Sequence, residues 1–116
     1  LAEMQAAGAG EDSQERLQED AETYRDLLEM MLRFPKPLIA AVNGPAVAGG
    51  LGLMLACDIV IASAESQFGL PEPRRGVVAG IVSPLLAFRI GAGQAAPLLL
   101  TGRMLDGDQA FRMRLV

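Results

Sequence analysis

The stretch GPAVAGGLGLMLACD, residues 44–58, sets glycines at 49, 50 and 52 at the mouth of an uncharged apolar run. Glycine lets a ligand approach the backbone closely. The N–H groups that open a helix have no partner within it and carry partial positive charge. Gly49-Gly50 is thus composed like an oxyanion hole, where preset donors stabilise charge developing on a carbonyl oxygen. On the residues alone, a tight structural corner packing loop on helix is the favoured reading. The matching proton carrier is Glu72 in FGLPEPRRG, held between Pro71 and Pro73 after an extended apolar stretch. A stiff backbone and partly dry surroundings suit a carboxylate to proton transfer. Its alternative is a surface acid paired with Arg74 or Arg75. Asp58 is expected to accept backbone N–H bonds at a helix-to-strand corner, and Cys57 to sit in the core. Gly91-x-Gly93 lacks a third glycine and a preceding strand, so it completes no dinucleotide motif.

The composition excludes much else. The chain has 116 residues, no His and one Cys. Ordinary zinc sites, Ser–His–Asp triads, Cys–His dyads and an internal disulfide framework are therefore outside its means. Acid–base chemistry falls to Asp, Glu, Lys36 or Tyr24. A single Cys and the absence of a signal peptide point to the cytoplasm. Residues 1–29 hold nine acids against Arg16 and Arg25, whereas the remainder holds five acids and eight bases. The bases are scattered, with one Tyr and no Trp, which is no nucleic-acid footprint. The uncharged run from Pro37 to Cys57 is long enough for a membrane span. Asn43-Gly44-Pro45 breaks it, so the two pieces read as a strand and a short buried helix, with no membrane partner.

These groups need elements to hold them. Asp12 and Glu15 form a D-x-x-E capping signal. Leu17, Ala21, Tyr24, Leu28 and Met31 follow at steps of four and three, the stripe of an amphipathic helix that stops before Pro35. Residues 1–10 read as a loop or a frayed helix. LIAAV (38–42) and DIVIAS (58–63) read as strands buried on both faces. Residues 50–57 read as a helix apolar all round, and 66–71 as a third extended piece. Ser83-Pro84 signals an N-cap with Pro at N1, for a helix ending at Gly91. A helix over 94–100 closes at Thr101-Gly102, and Asp106 with Gln109 caps a last one. Strands alternating with helices predict an α/β fold with parallel strands.

The run KPLIAAVNGPAVAGGLGLMLACDIVIAS followed by FGLPEPRRGVVAG resembles the enoyl-CoA hydratase/isomerase, or crotonase, family. The resemblance is densest from Lys36 to Gly80 and continues more weakly through LLLTGRMLDGDQAFRMRLV. It implies a spiral of ββα turns, incomplete in this chain. Residues 1–116 would be a partial domain: 1–34 a leading acidic helix, 36–80 the oxyanion turn and catalytic core, and 81–116 the following helices. A chain beginning without Met and ending at RMRLV is expected to be a middle fragment. The implied substrate is an acyl-CoA thioester, with coenzyme A part of the substrate and no metal or other cofactor. The implied assembly is a homotrimer or hexamer.

By position, the resemblance assigns Gly49 the N–H that holds the thioester oxygen as it becomes an enolate, with Ala48, Gly50, Gly52 and Gly80 along the substrate. Glu72 matches the retained catalytic glutamate. The second donor is expected from a Gly-Ala-Asp-like loop preceding Leu1. The family's hydratases carry another glutamate at the position of Gly52, and its dienoyl-CoA isomerases an acid at the position of Gly80. With one carboxylate left, the expected chemistry is double-bond isomerisation. The alternatives are an inefficient hydratase and a non-catalytic acyl-CoA-binding relative or fragment. Arg114 stands where glycine is usual at a helix end, and Pro97 falls inside a helix.

Overall fold

A computed structural model describes residues 10–77 and 79–116; all but the last residue of the loop or frayed helix expected over 1–10 lies outside them. The chain divides into two compact units, residues 1–33 and 34–116.

The first unit is one helix, α1 (Glu11–Leu32). Leu28 is buried, and Leu17, Ala21, Tyr24 and Met31 are its half-buried companions, while the acids of the other faces are exposed. The stripe expected from spacing is thus this helix's least exposed face. The D-x-x-E cap is not used. Gly10, at φ 122, is the N-cap, and its carbonyl accepts the N–H groups of Ser13 and Gln14, both at 3.2 Å. Asp12 lies inside the first turn, where its charge favours the positive helix end.

In the second unit the chain alternates between two small sheets. β1 (Ile39–Val42) and β3 (Ile59–Ala62) pair in parallel, Ile39 opposite Ile59 and Val42 opposite Ala62. β2 (Ala46–Val47) and β4 (Gln67–Gly69) pair in parallel, Ala46 opposite Phe68 and Val47 opposite Gly69. β5 (Leu105–Asp106) joins β4 antiparallel. The path β1, β2, α2 (Gly49–Leu55), β3, β4 therefore visits each sheet in turn, passes through a helix and visits each again, one step of a spiral. A 3-10 turn (Glu72–Arg75), α3 (Ser83–Ile90), α4 (Ala92–Thr101) and α5 (Gly107–Arg112) complete the order. The uncharged run from Pro37 to Cys57 is consumed by β1, β2 and α2. Among the described residues, no helix is long and apolar enough to cross a membrane.

The corner between the sheets is polar and satisfied. The Val42 carbonyl accepts the Ser63 N–H at 2.8 Å and the Ser66 hydroxyl at 3.1 Å, and the two serine hydroxyls pair at 2.9 Å. Ser66 is buried, and a hydroxyl there needs such partners. Asp58 acts as expected on backbone N–H but across the sheet: its Oδ2 accepts from Leu38 at 2.7 Å while the Leu38 carbonyl accepts from Asp58 and Ile59. It is exposed rather than buried.

Phe68, Leu51, Leu70, Leu86, Leu105 and Leu115 form the most enclosed core. β1 and β3 differ from expectation, because Ile39, Ile59 and Ile61 are exposed. Strand side chains alternate between faces, so the register puts these three on one open face and Val60 on the buried one. Cys57 is half-buried, with its thiol donating to the Leu53 carbonyl at 3.5 Å.

Helix ends account for the remaining differences. α3 starts at Ser83 itself, with Val82 as the cap, and the Ser83 hydroxyl turns back to the Ala79 carbonyl. Pro84 still stands in the first turn and Gly91 still ends the helix. Asp106 caps α5 as expected: its Oδ1 accepts the Gln109 N–H at 2.7 Å, and Gln109 Oε1 accepts the Asp106 N–H at 3.0 Å. The next residue must be glycine, since a Cβ on Gly107 would lie 2.6 Å from the Ala64 carbonyl oxygen.

At the far end of α5, Arg114 holds φ 63. Its N–H reaches the Phe111 carbonyl at 3.1 Å and the Leu115 N–H reaches Ala110 at 2.9 Å. These bonds form a Schellman stop, for which glycine is the favoured residue. Arg114→Gly is therefore expected to stabilise the protein by about 1 kcal/mol through relief of left-handed backbone strain. Denaturant melts of the two proteins compare them directly, and a destabilised variant overturns the expectation.

Candidate active site

Two parallel strands bring the candidate residues to one edge. β2 and β4 run side by side, so their C-terminal ends lie together. In α/β sheets that end is where ligands bind. The chain leaving β2 passes through Ala48 into Gly49 and Gly50, the first residues of α2. The chain leaving β4 passes through Leu70 and Pro71 to Glu72, the first residue of the 3-10 turn.

Ala48 makes the sharp turn between strand and helix. Its N–H extends the ladder to the Gly69 carbonyl at 3.1 Å, and its own carbonyl accepts from Leu51 at 3.1 Å and Gly52 at 3.3 Å. With all three bonds made, the residue sits at φ 52, ψ −126 and is buried. That conformation is strained for any residue with a Cβ, and such strain persists only where surrounding contacts impose it. The turn aims the peptide after it, Ala48–Gly49, in one direction. A Cβ on Gly50 would meet nothing within 4 Å, so this side of the turn is open. Gly52 is different: it is buried inside α2, its carbonyl accepting from Ala56 at 3.1 Å.

Ala48→Val is expected to destabilise by about 3 kcal/mol, because a β-branched side chain is a severe misfit at positive φ and the site is already filled. Ala48→Gly relieves the strain and loses one buried methyl, so its net cost is expected below about 1 kcal/mol. Equal midpoints for the valine and glycine variants in urea would show that the turn is not strained.

Glu72 is half-buried, and its Oε2 is enclosed with no hydrogen-bond partner. Ion pairs among the described residues are Arg25–Asp26 and Arg112–Asp108, so neither Arg74 nor Arg75 pairs with it. Arg74 is engaged elsewhere: a Cβ on Gly102 would lie 3.1 Å from Arg74 Cγ and 3.5 Å from its Nε, placing the guanidinium stem at the C-terminal end of α4. The turn carrying Glu72 is pinned by the Val77 N–H donating to the Glu72 carbonyl at 3.1 Å and closed by Gly76 at φ 74. A buried carboxylate oxygen without a partner in the protein is uncommon.

Ala48, Gly49, Gly50 and Glu72 thus share one sheet edge, and Gly52 stands behind them in the helix. Gly80 lies in the turn before α3, and its added Cβ would meet nothing within 4 Å. Three features escaped the reading of the sequence. β2 and β5, with two residues each, are too short for periodicity to show, yet β2 sets the register of the site. Arg89 reaches the end of α2 from α3; its one signal is that it is the sole charge in SPLLAFRI.

The family model described as Enoyl-CoA hydratase/isomerase matches residues 2–116. The chain is similar to the mouse enoyl-CoA hydratase domain-containing protein 2, mitochondrial, at 40% identity over 116 residues, covering 93% of this chain and 39% of that protein. It is similar to the (E)-benzylidenesuccinyl-CoA hydratase of Thauera aromatica at 45% identity over 82 residues, covering 70% of this chain and 32% of the relative. The crystal structure of enoyl-CoA hydratase from Bacillus anthracis superposes with a TM-score of 0.87 at 36% identity, covering 95% of this chain and 42% of that one. The chain spans less than half the length of these relatives, and its two sheets and intervening helix are part of the crotonase spiral. By the matched residues, the strand order and the superposition, the chain belongs to the enoyl-CoA hydratase/isomerase family.

Proposed function

We propose that this chain forms part of an acyl-CoA-processing site in which Gly49 polarises the thioester and Glu72 moves one proton, favouring double-bond isomerisation over hydration. The observation that carries this reading is the enclosed, unpartnered Glu72 Oε2 at the sheet edge from which the Ala48–Gly49 turn emerges. With a 3-enoyl thioester, the Glu72 carboxylate takes a proton from C2. The electron pair spreads over a dienolate, with negative charge on the thioester oxygen near the Gly49 N–H. Glu72, now neutral, returns the proton to C4, and the double bond lies between C2 and C3. No atom is gained or lost, and one base suffices. Stabilisation of the oxygen by a preset backbone donor contributes roughly 3 kcal/mol per donor in comparable sites.

Hydration places a heavier demand, since a water must be held and activated as it adds. At position 52 this chain has Gly52, which supplies no second carboxylate. Relatives named as hydratases nevertheless favour hydration of a 2-enoyl thioester as the second reading. The two separate by which product forms faster. Protein carrying this chain, given a 3-enoyl-CoA, is expected to yield 2-enoyl-CoA faster than it converts 2-enoyl-CoA to 3-hydroxyacyl-CoA. The opposite order establishes the hydratase reading, and turnover of neither removes both.

A further inference from the structure

Beyond the backbone bonds that anchor Ala48 at its start, the side chains of α2 hold it by apolar contact alone. Its sequence, GGLGLML, has no polar side chain, and Leu51, Met54 and Leu55 pack without directional bonds. Seven residues make fewer than two turns, so a slide or rotation at the C-terminal end moves the turn at the other end. The last carbonyls of a helix have no partners within it. Here the Gly52 carbonyl takes the Ala56 N–H, Met54 takes the Cys57 N–H at 3.0 Å, and Leu53 takes the Cys57 thiol. The Leu55 and Cys57 carbonyls are taken by one cation from another element: Arg89 Nη2 donates to Leu55 at 3.1 Å and to Cys57. A cation at that end also opposes the negative pole of the helix, and charge-assisted bonds are the stronger kind.

We propose that Arg89 is a positioning residue for the acyl-oxygen donor: by clamping the C-terminal carbonyls of α2 it fixes the helix and, through it, the direction of the Ala48–Gly49 peptide. The inference rests on the reading of that turn as the thioester-binding element. Apolar packing keeps α2 buried without Arg89, but it does not specify the helix's axial position. Arg89 therefore governs how strongly a bound thioester is polarised more than whether it binds. It touches no substrate and acts only through α2.

The probe is 4-(dimethylamino)cinnamoyl-CoA, a conjugated thioester whose absorbance moves to longer wavelength when donors polarise its carbonyl. The test uses the full chain, and circular dichroism reports folding. With the unsubstituted protein, a red shift on binding is expected; no shift removes the function proposed above and this inference with it. In Arg89→Met, the expected result is binding of similar strength with most of the red shift lost. In Arg89→Lys, which keeps a cation in reach, part of the shift is expected to return. A folded Arg89→Met protein with the full red shift overturns the positioning role while leaving the proposed function standing. If Arg89→Met does not fold, Arg89→Gln decides in the same way.

Cys57, the chain's single cysteine, gives a readout that needs no ligand. Burial pushes its thiol up, Arg89 pulls it down and Asp58 pushes it up. The pH midpoint of its alkylation by iodoacetamide is expected to rise in Arg89→Met and to recover in Arg89→Lys. A midpoint that does not rise shows that Arg89 does not sit at this helix end.

Discussion

Glu72→Gln is expected to stop isomerisation of a 3-enoyl-CoA while leaving acyl-CoA binding in place. The amide keeps the size and polarity of the side chain but accepts no proton at neutral pH, so only the transfer step is removed. Positioned general bases contribute roughly 10²–10⁴-fold in rate, and a loss of that size in kcat with little change in KM is the expected signature. The substitution also bears on the enclosed Oε2, which has no partner in the protein. An uncompensated carboxylate oxygen is a stability cost, so the neutral glutamine is expected to leave the melting temperature unchanged or raised. A variant that isomerises at the original rate sinks the assignment of Glu72. A variant that binds no acyl-CoA and melts early instead makes Glu72 a structural residue.

Phe68→Ala carries the largest expected stability effect. Phe68 has no exposed surface and lies at the centre of its three-stranded sheet, opposite Ala46 on one side and Leu105 on the other. Truncating a buried Phe costs about 3–5 kcal/mol, from lost transfer energy and the cavity left behind. Domains have only about 5–15 kcal/mol in total, so the variant is expected to be largely unfolded in mild urea. The consequence reaches the site because β4 holds both halves of it: the Gly69 carbonyl anchors Ala48, and Glu72 follows three residues on. Phe68→Leu, which refills most of the volume, is expected to recover much of the loss. A urea midpoint for Phe68→Ala close to that of the unsubstituted protein would place the core elsewhere.

Much was legible from residues alone because it depends on local rules. The stripe of α1 follows from steps of three and four, Asp106 and Gln109 formed the cap that their spacing predicts, and Gly91 and Gly102 ended the helices they follow. The resemblance carried by KPLIAAVNGPAVAGGLGLMLACDIVIAS and FGLPEPRRG led to the family, and the candidate residues Gly49 and Glu72 were picked out from the same two stretches. Absence of His and the single Cys likewise bounded the chemistry before any fold was known.

Other features were settled only by contacts distant in sequence. Asp12 and Ser83 have good capping residue types, yet the backbone around each started its helix earlier or was bonded elsewhere, so type alone did not set the boundary. β1 and β3 read as buried on both faces, and pairing with one another left Ile39, Ile59 and Ile61 open. Arg74 stands two residues from Glu72 but lies against Gly102 instead, which frees the carboxylate oxygen of its nearest cation. Ala48 has an ordinary side chain, and only its three backbone bonds, one of them to β4, reveal the left-handed turn it is forced to make. Residue types and helical periods are local properties, readable in order along the chain. The tertiary structure decided which of them meet, since β2 and β4 are brought into register by hydrogen bonds between segments that no local pattern joins.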